Sequence, residues 1–319
     1  MKSSLYSRMN KLSGEVGAII PLVILVIAFS LLNPSFLSFD NIGSILRSSA
    51  FIGLVAIGQT LVILTGEIDI SVGSVAGLGA ISGAWMMTHG IHPALAVLLC
   101  ILVCAVAGMV NGVLSVKFGI PSFIATIGML YIAKGFTNII TNGYPIYPLP
   151  DAINTFSSLS PLGTSWAFLC FFVLIIVFHI ILTKTVYGRN LYVTGDNKEV
   201  ARLAGISVMK MKLSAFILCS VLSGLAGTLM SFELLTGSPT IGSGWELLVV
   251  ASVVVGGISL LGGSGSMIGA FIGVMILMIL NNGMIFLGIN THWQTVTIGV
   301  VMITAVLIDM FNRRKRVAS

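Results

Sequence analysis

Charge is what this chain has least of. Only 8% of its 319 residues are Asp, Glu, Lys or Arg, while 56% are hydrophobic, where an average soluble domain carries about 25% charged residues. So small a polar share cannot cover a water-soluble protein of this length, whereas lipid tails can face apolar side chains directly. Strict alternation of polar and apolar residues is also missing, which argues against a porin-type barrel. The apolar stretches instead run almost unbroken for about 20 residues, the length of a spanning helix. No Gly-x-x-x-x-Gly-Lys-Ser/Thr phosphate loop occurs, so the chain cannot itself supply ATP hydrolysis. His-Glu-x-x-His and Gly-x-Ser-x-Gly are absent too, and no span carries a His/Asp/Glu cluster, which disfavours a membrane-embedded enzyme. Cysteine is scarce: Cys100, Cys104, Cys170 and Cys219 all lie in apolar segments and read as small core residues rather than a disulfide framework.

What is present is a succession of apolar spans. They fall near 16–33, 45–65, 70–88, 93–116, 121–140, 165–183, 211–235, 246–261, 266–287 and 293–310. The expected fold is therefore all-α, a polytopic membrane helix bundle of about ten transmembrane helices, forming a single domain over 1–319. The first span follows Lys2, Arg8 and Lys11. It is too long for a signal-peptide core and lacks a clear small-x-small site, so it reads as a retained helix.

The net charge of +6 sits in short loops, where it sets topology rather than binding nucleic acid. With both termini cytoplasmic, Lys2, Arg8, Lys11, Lys117, Lys184, Arg189, Lys198, Arg202, Lys210, Lys212, Arg313, Arg314, Lys315 and Arg316 all fall inside. That is fourteen of the sixteen basic residues; Arg47 falls outside and Lys134 within a span. The expected layout is a cytoplasmic N-terminus (1–15), an extracytoplasmic loop (142–163), a cytoplasmic loop (184–212) and a basic cytoplasmic tail (311–319). A shallow surface helix or loop at 142–163 would meet the solute or a soluble partner.

Glycines four apart, Gly73/Gly77, Gly79/Gly83, Gly108/Gly112 and Gly269/Gly273, predict close helix approach. An internal repeat is also visible. Asn111-Gly112, Phe118-Gly119-Ile120 and Thr126-Ile127-Gly128 are echoed by Asn282-Gly283, Leu287-Gly288-Ile289 and Thr297-Ile298-Gly299. In the topology above the two copies face opposite sides, which suggests an inverted repeat of helices 2–5 against 7–10, a common transporter design.

Within 184–212, the order Gly188-Arg189, then Gly195-Asp196-Asn197-Lys198-Glu199-Val200-Ala201-Arg202-Leu203-Ala204-Gly205 predicts one short helix. Asp196 and Glu199 have capping-box spacing and Gly205 suits the position after the helix end. Val200, Leu203 and Ala204 share a face, either a docking knob or a solvated surface. This segment resembles the coupling-helix loop of ATP-binding cassette (ABC) importer permeases. Gly58-Gln59-Thr60 through Thr65-Gly66-Glu67-Ile68-Asp69-Ile70-Ser71-Val72-Gly73-Ser74 is similar to the signature of the ribose/xylose/arabinose-type permease family. Gly256-Gly257 with Leu260-Leu261-Gly262-Gly263, and Asn281-Asn282-Gly283 with Leu287-Gly288-Ile289, resemble it as well. Many relatives carry glycine where this chain has Glu67.

The resemblance implies a permease in the bacterial inner membrane that imports a sugar, a monosaccharide first. It would work as a homo- or heterodimer with an ATP-binding subunit, often with two ATP-binding domains fused in one chain, and a periplasmic or lipid-anchored sugar-binding protein. ATP and magnesium would sit on the partner, with no cofactor in this chain. Gly188, Arg189, Gly195, Asp196, Glu199, Ala201, Leu203 and Gly205 would couple to the ATPase. Gln59, Glu67, Asp69, Asn111, Asn281 and Asn282 are pathway candidates, since intramembrane polar groups demand a role. Asp69 reads equally as a cap for the third span, and the amides as interhelical hydrogen bonds. Glu246, near the start of the eighth span, would complement its dipole. His89 and His92 lack further ligands nearby for a metal. An ion-coupled secondary transporter using Glu67 or Asp69, and an ABC permease for branched-chain amino acids or nucleosides, are the competing functions.

Overall fold

Long apolar runs bounded by polar caps become helices because the bilayer leaves the backbone no other partner. The computed structural model describes residues 18–158 and 165–318. The N-terminal segment with Lys2, Arg8 and Lys11, and 159–164 of the expected outer loop, lie outside them. Helix α1 is Ala18–Leu32. A 3₁₀ turn at Pro34–Leu37 leads to α2 (Phe39–Leu64), which starts six residues earlier than expected, because Ser38 accepts from the Asn41 N–H and Asp40 favours the first turn. Then come α3 (Val72–Thr88), α4 (Pro93–Val116), α5 (Ser122–Thr141), α6 (Asp151–Ser158), α7 (Trp166–Lys184), α8 (Val186–Asp196) and α9 (Lys198–Leu203). The chain continues with α10 (Val208–Glu233), α11 (Trp245–Val255), α12 (Met267–Phe286) and α13 (Thr291–Ala318).

The described residues are all-helical, without named strands. Six helices, α2, α4, α5, α7, α10 and α12, are long and apolar enough to cross a membrane. Four shorter apolar helices fall at the other expected spans. Two expectations need correction. The eighth span ends at Gly256 rather than 261, because left-handed glycines, among them Gly257 (φ +84°) and Gly262 (φ +86°), turn the apolar run Ile258–Leu261 into a loop. In the final segment the helix does not stop at 310 but continues to Ala318.

Helix α10 is the hub, packed against α2, α3 and α4. Helix α2 is enclosed by α7, α10, α11 and α12, so 83% of its most apolar stretch is buried, against 28% for α4, α5 and α7, which keep an open face. Most of the four-apart glycines stand at real close approaches. Beyond Gly79 lies the backbone of Gly224, and beyond Gly108 the Phe216 carbonyl; Gly83 meets only ordinary contacts. Cys100, Cys104 and Cys219 are fully buried. His89 stacks on Trp85, and the His92 side chain caps α4 by accepting from the Ala94 N–H.

Segments that the charge count assigns to one side of the membrane meet at one end of the bundle. There the Leu64 carbonyl accepts from the Gly263 N–H (3.0 Å), and the Tyr192 hydroxyl donates to the Gly265 carbonyl (2.9 Å). At the other end, Ile146 and Gly237 exchange backbone hydrogen bonds of 2.8 and 3.0 Å, and the Trp166 indole donates to the Phe156 carbonyl (3.1 Å).

Candidate functional site

The break between α2 and α3 has to satisfy its peptide groups without helical partners. Helix α5 supplies two: the Ile68 N–H donates to Ser122 Oγ (3.3 Å) and the Ile70 N–H to Thr126 Oγ1 (3.1 Å). Asp69 closes the break from within. Its Oδ1 accepts from the Ser71 N–H (2.8 Å) and hydroxyl (2.6 Å). Asn111 Nδ2, on α4, donates to Ser71 Oγ (3.0 Å) and Asp69 Oδ2 (3.4 Å). Asp69, Ser71, Asn111 and Gln59 have no exposed surface. Asp69 therefore ties the break to α4 from a fully buried position, while the N-cap residue of α3, Ser71, makes no side-chain capping bond to that helix.

Glu67 points the other way. It forms ion pairs with Lys212, at the start of α10, and with Lys198 (3.9 Å), at the start of α9. The Lys212 side chain is 6% exposed and Glu67 15%, while Lys198 is 55% exposed. The first pair is therefore poorly screened, and the second is a surface contact of small value.

These lysines belong to the loop expected to hold one capped helix. It holds two, α8 and α9. Because 186–196 is already helical, Asp196 ends α8 and cannot cap the next helix. Asn197, extended at φ −152°, does so, its side chain accepting from the Glu199 and Val200 N–H groups. Glu199 instead pairs with Arg202 at 2.9 Å on the surface. Gly205 follows the helix at φ +76°, as its left-handed role requires. Ala201 is fully buried and faces the protein, while Val200 (52%) and Leu203 (88%) are exposed. Arg189 is exposed and Gly188 buried. Gly195 lies directly on the Leu64 carbonyl and the Gly263 backbone, leaving no room for a side chain. The loop is thus bolted to the end of α2 and to the α11–α12 turn, with two large apolar side chains turned outward.

Asn281 and Asn282, near the end of α12, are half-buried. Gln59 Nε2, Asn111 Oδ1, Asn281 Oδ1 and Asn282 Oδ1 are buried without a hydrogen-bond partner among the described residues. Buried polar atoms in native proteins are paired by protein or water, so each of these four amide atoms needs a partner beyond the described residues. The structure joins Asp69 to Asn111, and links Gln59 to the same region through Cys219 Sγ, 3.7 Å from Gln59 Oε1.

Sequence reasoning missed another polar group. Lys134, midway along α5, donates to the Pro239 carbonyl (2.7 Å) and Ser243 Oγ (3.3 Å), more than a hundred residues away. A charged residue inside a span was the only available signal.

The described residues thus form a helical bundle with irregular breaks after α2 and α10 and a tied loop that turns Val200 and Leu203 outward. Residues 41–306 match the family described as the branched-chain amino acid transport system permease component. The chain belongs to this family. It is 39% identical to the ribose import permease protein RbsC of Bacillus subtilis, over 92% of each chain. It is 36% identical to RbsC of Escherichia coli K12, over 92% of this chain and 93% of that one. With the autoinducer 2 import system permease protein LsrC of Photorhabdus luminescens it shares 34%, over 92% of this chain and 89% of the relative. No solved structure matches it. The chain is a multi-pass membrane protein of the bacterial inner membrane type.

Proposed function

We propose that this chain is the membrane-spanning permease subunit of an ABC importer for a sugar, with a pentose such as ribose the first candidate. The observation that carries the proposal is α9. Its exposed Val200 and Leu203 stand on a loop tied to the α2–α3 break by Glu67 and Lys212, and to the α11–α12 turn by Gly195. Relatives named for ribose import, aligned over nearly the whole chain, support the substrate class.

In this reading ten helices cross the membrane, both termini are cytoplasmic, and α2–α5 and α10–α13 are inverted repeats. The lengths favour it: α2 and α10 each have 26 residues, and each is followed by an irregular break and a short helix, α3 of 17 residues and α11 of 11. The α8–α9 loop is then the cytoplasmic coupling loop, with Gly188, Arg189, Gly195, Asp196, Glu199, Ala201, Leu203 and Gly205 among its working residues. Val200 and Leu203 enter the ATP-binding subunit. ATP and magnesium bind there, and two ATP-binding domains serve a pair of permeases. The 142–163 side receives a sugar-binding protein.

Closure of the ATP-binding domains moves α9, and the load passes through Lys212 and Glu67 to the α2–α3 break, biasing the bundle between outward- and inward-facing states. Gln59, Asp69 and Asn111 hold the break, and water at their orphan amide atoms lets it rearrange. Asn281 and Asn282 offer further amides to the path.

The test is reconstitution. The permease, its co-purifying ATP-binding subunit and the binding protein are placed in liposomes, and ribose uptake is followed with and without ATP. Uptake that requires ATP supports the reading. Uptake driven by an ion gradient alone would replace it with the secondary-transporter alternative.

A further inference from the structure

The segment joining α10 to α11 is irregular, yet it does not lie outside the bundle. Gly237 rests against Ala80 and Ala84 of α3, the Ile241 carbonyl against Gly77, and the Gly242 carbonyl against Gly73. It therefore descends beside three turns of α3, at the depth of a spanning helix, before α11 begins. Gly242 and Gly244 both have φ +81°, and Gly242 and Gly73 approach so closely that a methyl on either would overlap the other's carbonyl. Non-helical backbone at membrane depth is tolerated where it is buried in protein or lines water. Here Thr240, Ser243 and Gly244 are exposed.

Charge gathers at the same place. Lys134 is half-buried and holds the segment by its Pro239 carbonyl and Ser243 hydroxyl. Glu246, in the first turn of α11, is also half-buried and sits against Gly73. Among the described residues its carboxylate takes no hydrogen bond and no ion pair. An unpaired carboxylate and an ammonium facing lipid would each cost about 2.5–3.5 kcal/mol or more at the bilayer centre. A dry contact with a second copy would take both charges out of water, at several kcal/mol per ion. The arrangement that satisfies both is a wet wall.

We propose that Thr240, Ser243 and Glu246, positioned by Lys134 and the re-entrant segment 236–244, line the solute path and form a subsite for a neutral polyhydroxylated solute. A solute hydroxyl donates to the Glu246 carboxylate, others exchange hydrogen bonds with Ser243 and Thr240, and one accepts from the Lys134 ammonium. This rests on the importer reading for the identity of the solute, but the wall itself does not.

The test uses the reconstituted complex of permease, ATP-binding subunit and binding protein. Native Cys100, Cys104 and Cys219 are buried and Cys170 half-buried, so the wild-type chain gives the labelling background. Ser243→Cys and, separately, Thr240→Cys are exposed to a water-soluble cationic thiosulfonate, with and without ATP. The expected result is rapid modification of at least one of them, slowed by ribose, followed by loss of ribose uptake. In parallel, Glu246→Gln lowers uptake by about tenfold, the worth of one hydrogen bond to a charged acceptor, with ATPase activity retained. If neither cysteine is modified in either condition, or modification leaves uptake intact, the proposal is overturned. If both are modified but the wild-type complex shows no ATP-driven ribose uptake, the importer reading fails for ribose while the wet wall survives.

Discussion

The carboxylate of Glu67 accepts a hydrogen bond from the ammonium of Lys212, 145 residues further along the chain. The pair joins the break after α2 to the start of α10, and the loop bearing α9 lies between them in sequence. Removing one partner of a poorly hydrated pair leaves the other charge unpaired, at about 3–5 kcal/mol. Glu67→Gln and Lys212→Met should each lower the thermal midpoint in detergent and reduce solute moved per ATP hydrolysed. The reciprocal swap Glu67→Lys with Lys212→Glu should recover part of both. Lys198→Ala, at the surface, should change stability by less than about 1 kcal/mol. Equal effects of all these variants would remove the strut role of the pair.

Leu203 is 88% exposed and Ala201, two residues before it, is buried. Leu203→Asp should therefore leave the fold intact and weaken capture of the ATP-binding subunit by about tenfold or more, as truncation of an interface anchor does. Ala201→Asp should instead lower the yield of folded protein. Pull-down of the ATP-binding subunit alongside size-exclusion profiles separates the two; retained binding by Leu203→Asp would mean that α9 is a solvated surface.

Gly195 and Gly205 are required for different reasons. The space beyond Gly195 is filled by the Leu64 carbonyl and Gly263 backbone, whereas Gly205 has nothing within 4 Å but a φ of +76°. Gly195→Ala should cost about 1–3 kcal/mol through overpacking and loosen the loop from α2. Gly205→Asn should be tolerated, since asparagine visits left-handed backbone readily. Melting curves and limited proteolysis within 184–212 report both.

Asn111 holds Asp69 and Ser71 from α4. Asn111→Leu leaves two buried oxygens short of a donor, at about 1–3 kcal/mol. It should lower the melting temperature and slow transport, while Asn111→Asp should be worse because it faces a second carboxylate. Unchanged stability in both would place the tie elsewhere.

The apolar spans, the all-helical class, the family resemblance and the short helix at 198–203 are written locally. Each rests on some 6–20 consecutive residues and on the energetic cost of putting polar backbone in lipid. The place where 186–206 splits is less legible, because Asp196, Asn197 and Ser207 are all competent caps and only the helicity of the preceding turn selects Asn197. The early end of α11 is similar: Ile258 and Leu261 look like membrane residues, and it takes the packing of Gly256 on Gly269 and of Gly262 on Gly66 to turn them into a loop. What required the tertiary structure is every pairing across distance. Glu67 with Lys212, Asp69 with Asn111, and Lys134 with Pro239 and Ser243 join elements 42 to 145 residues apart. Composition can say that a polar group in a span needs a partner. Which partner it finds is decided by helix packing, since side chains of the same type along the chain offer equally good chemistry and only their distance in space differs.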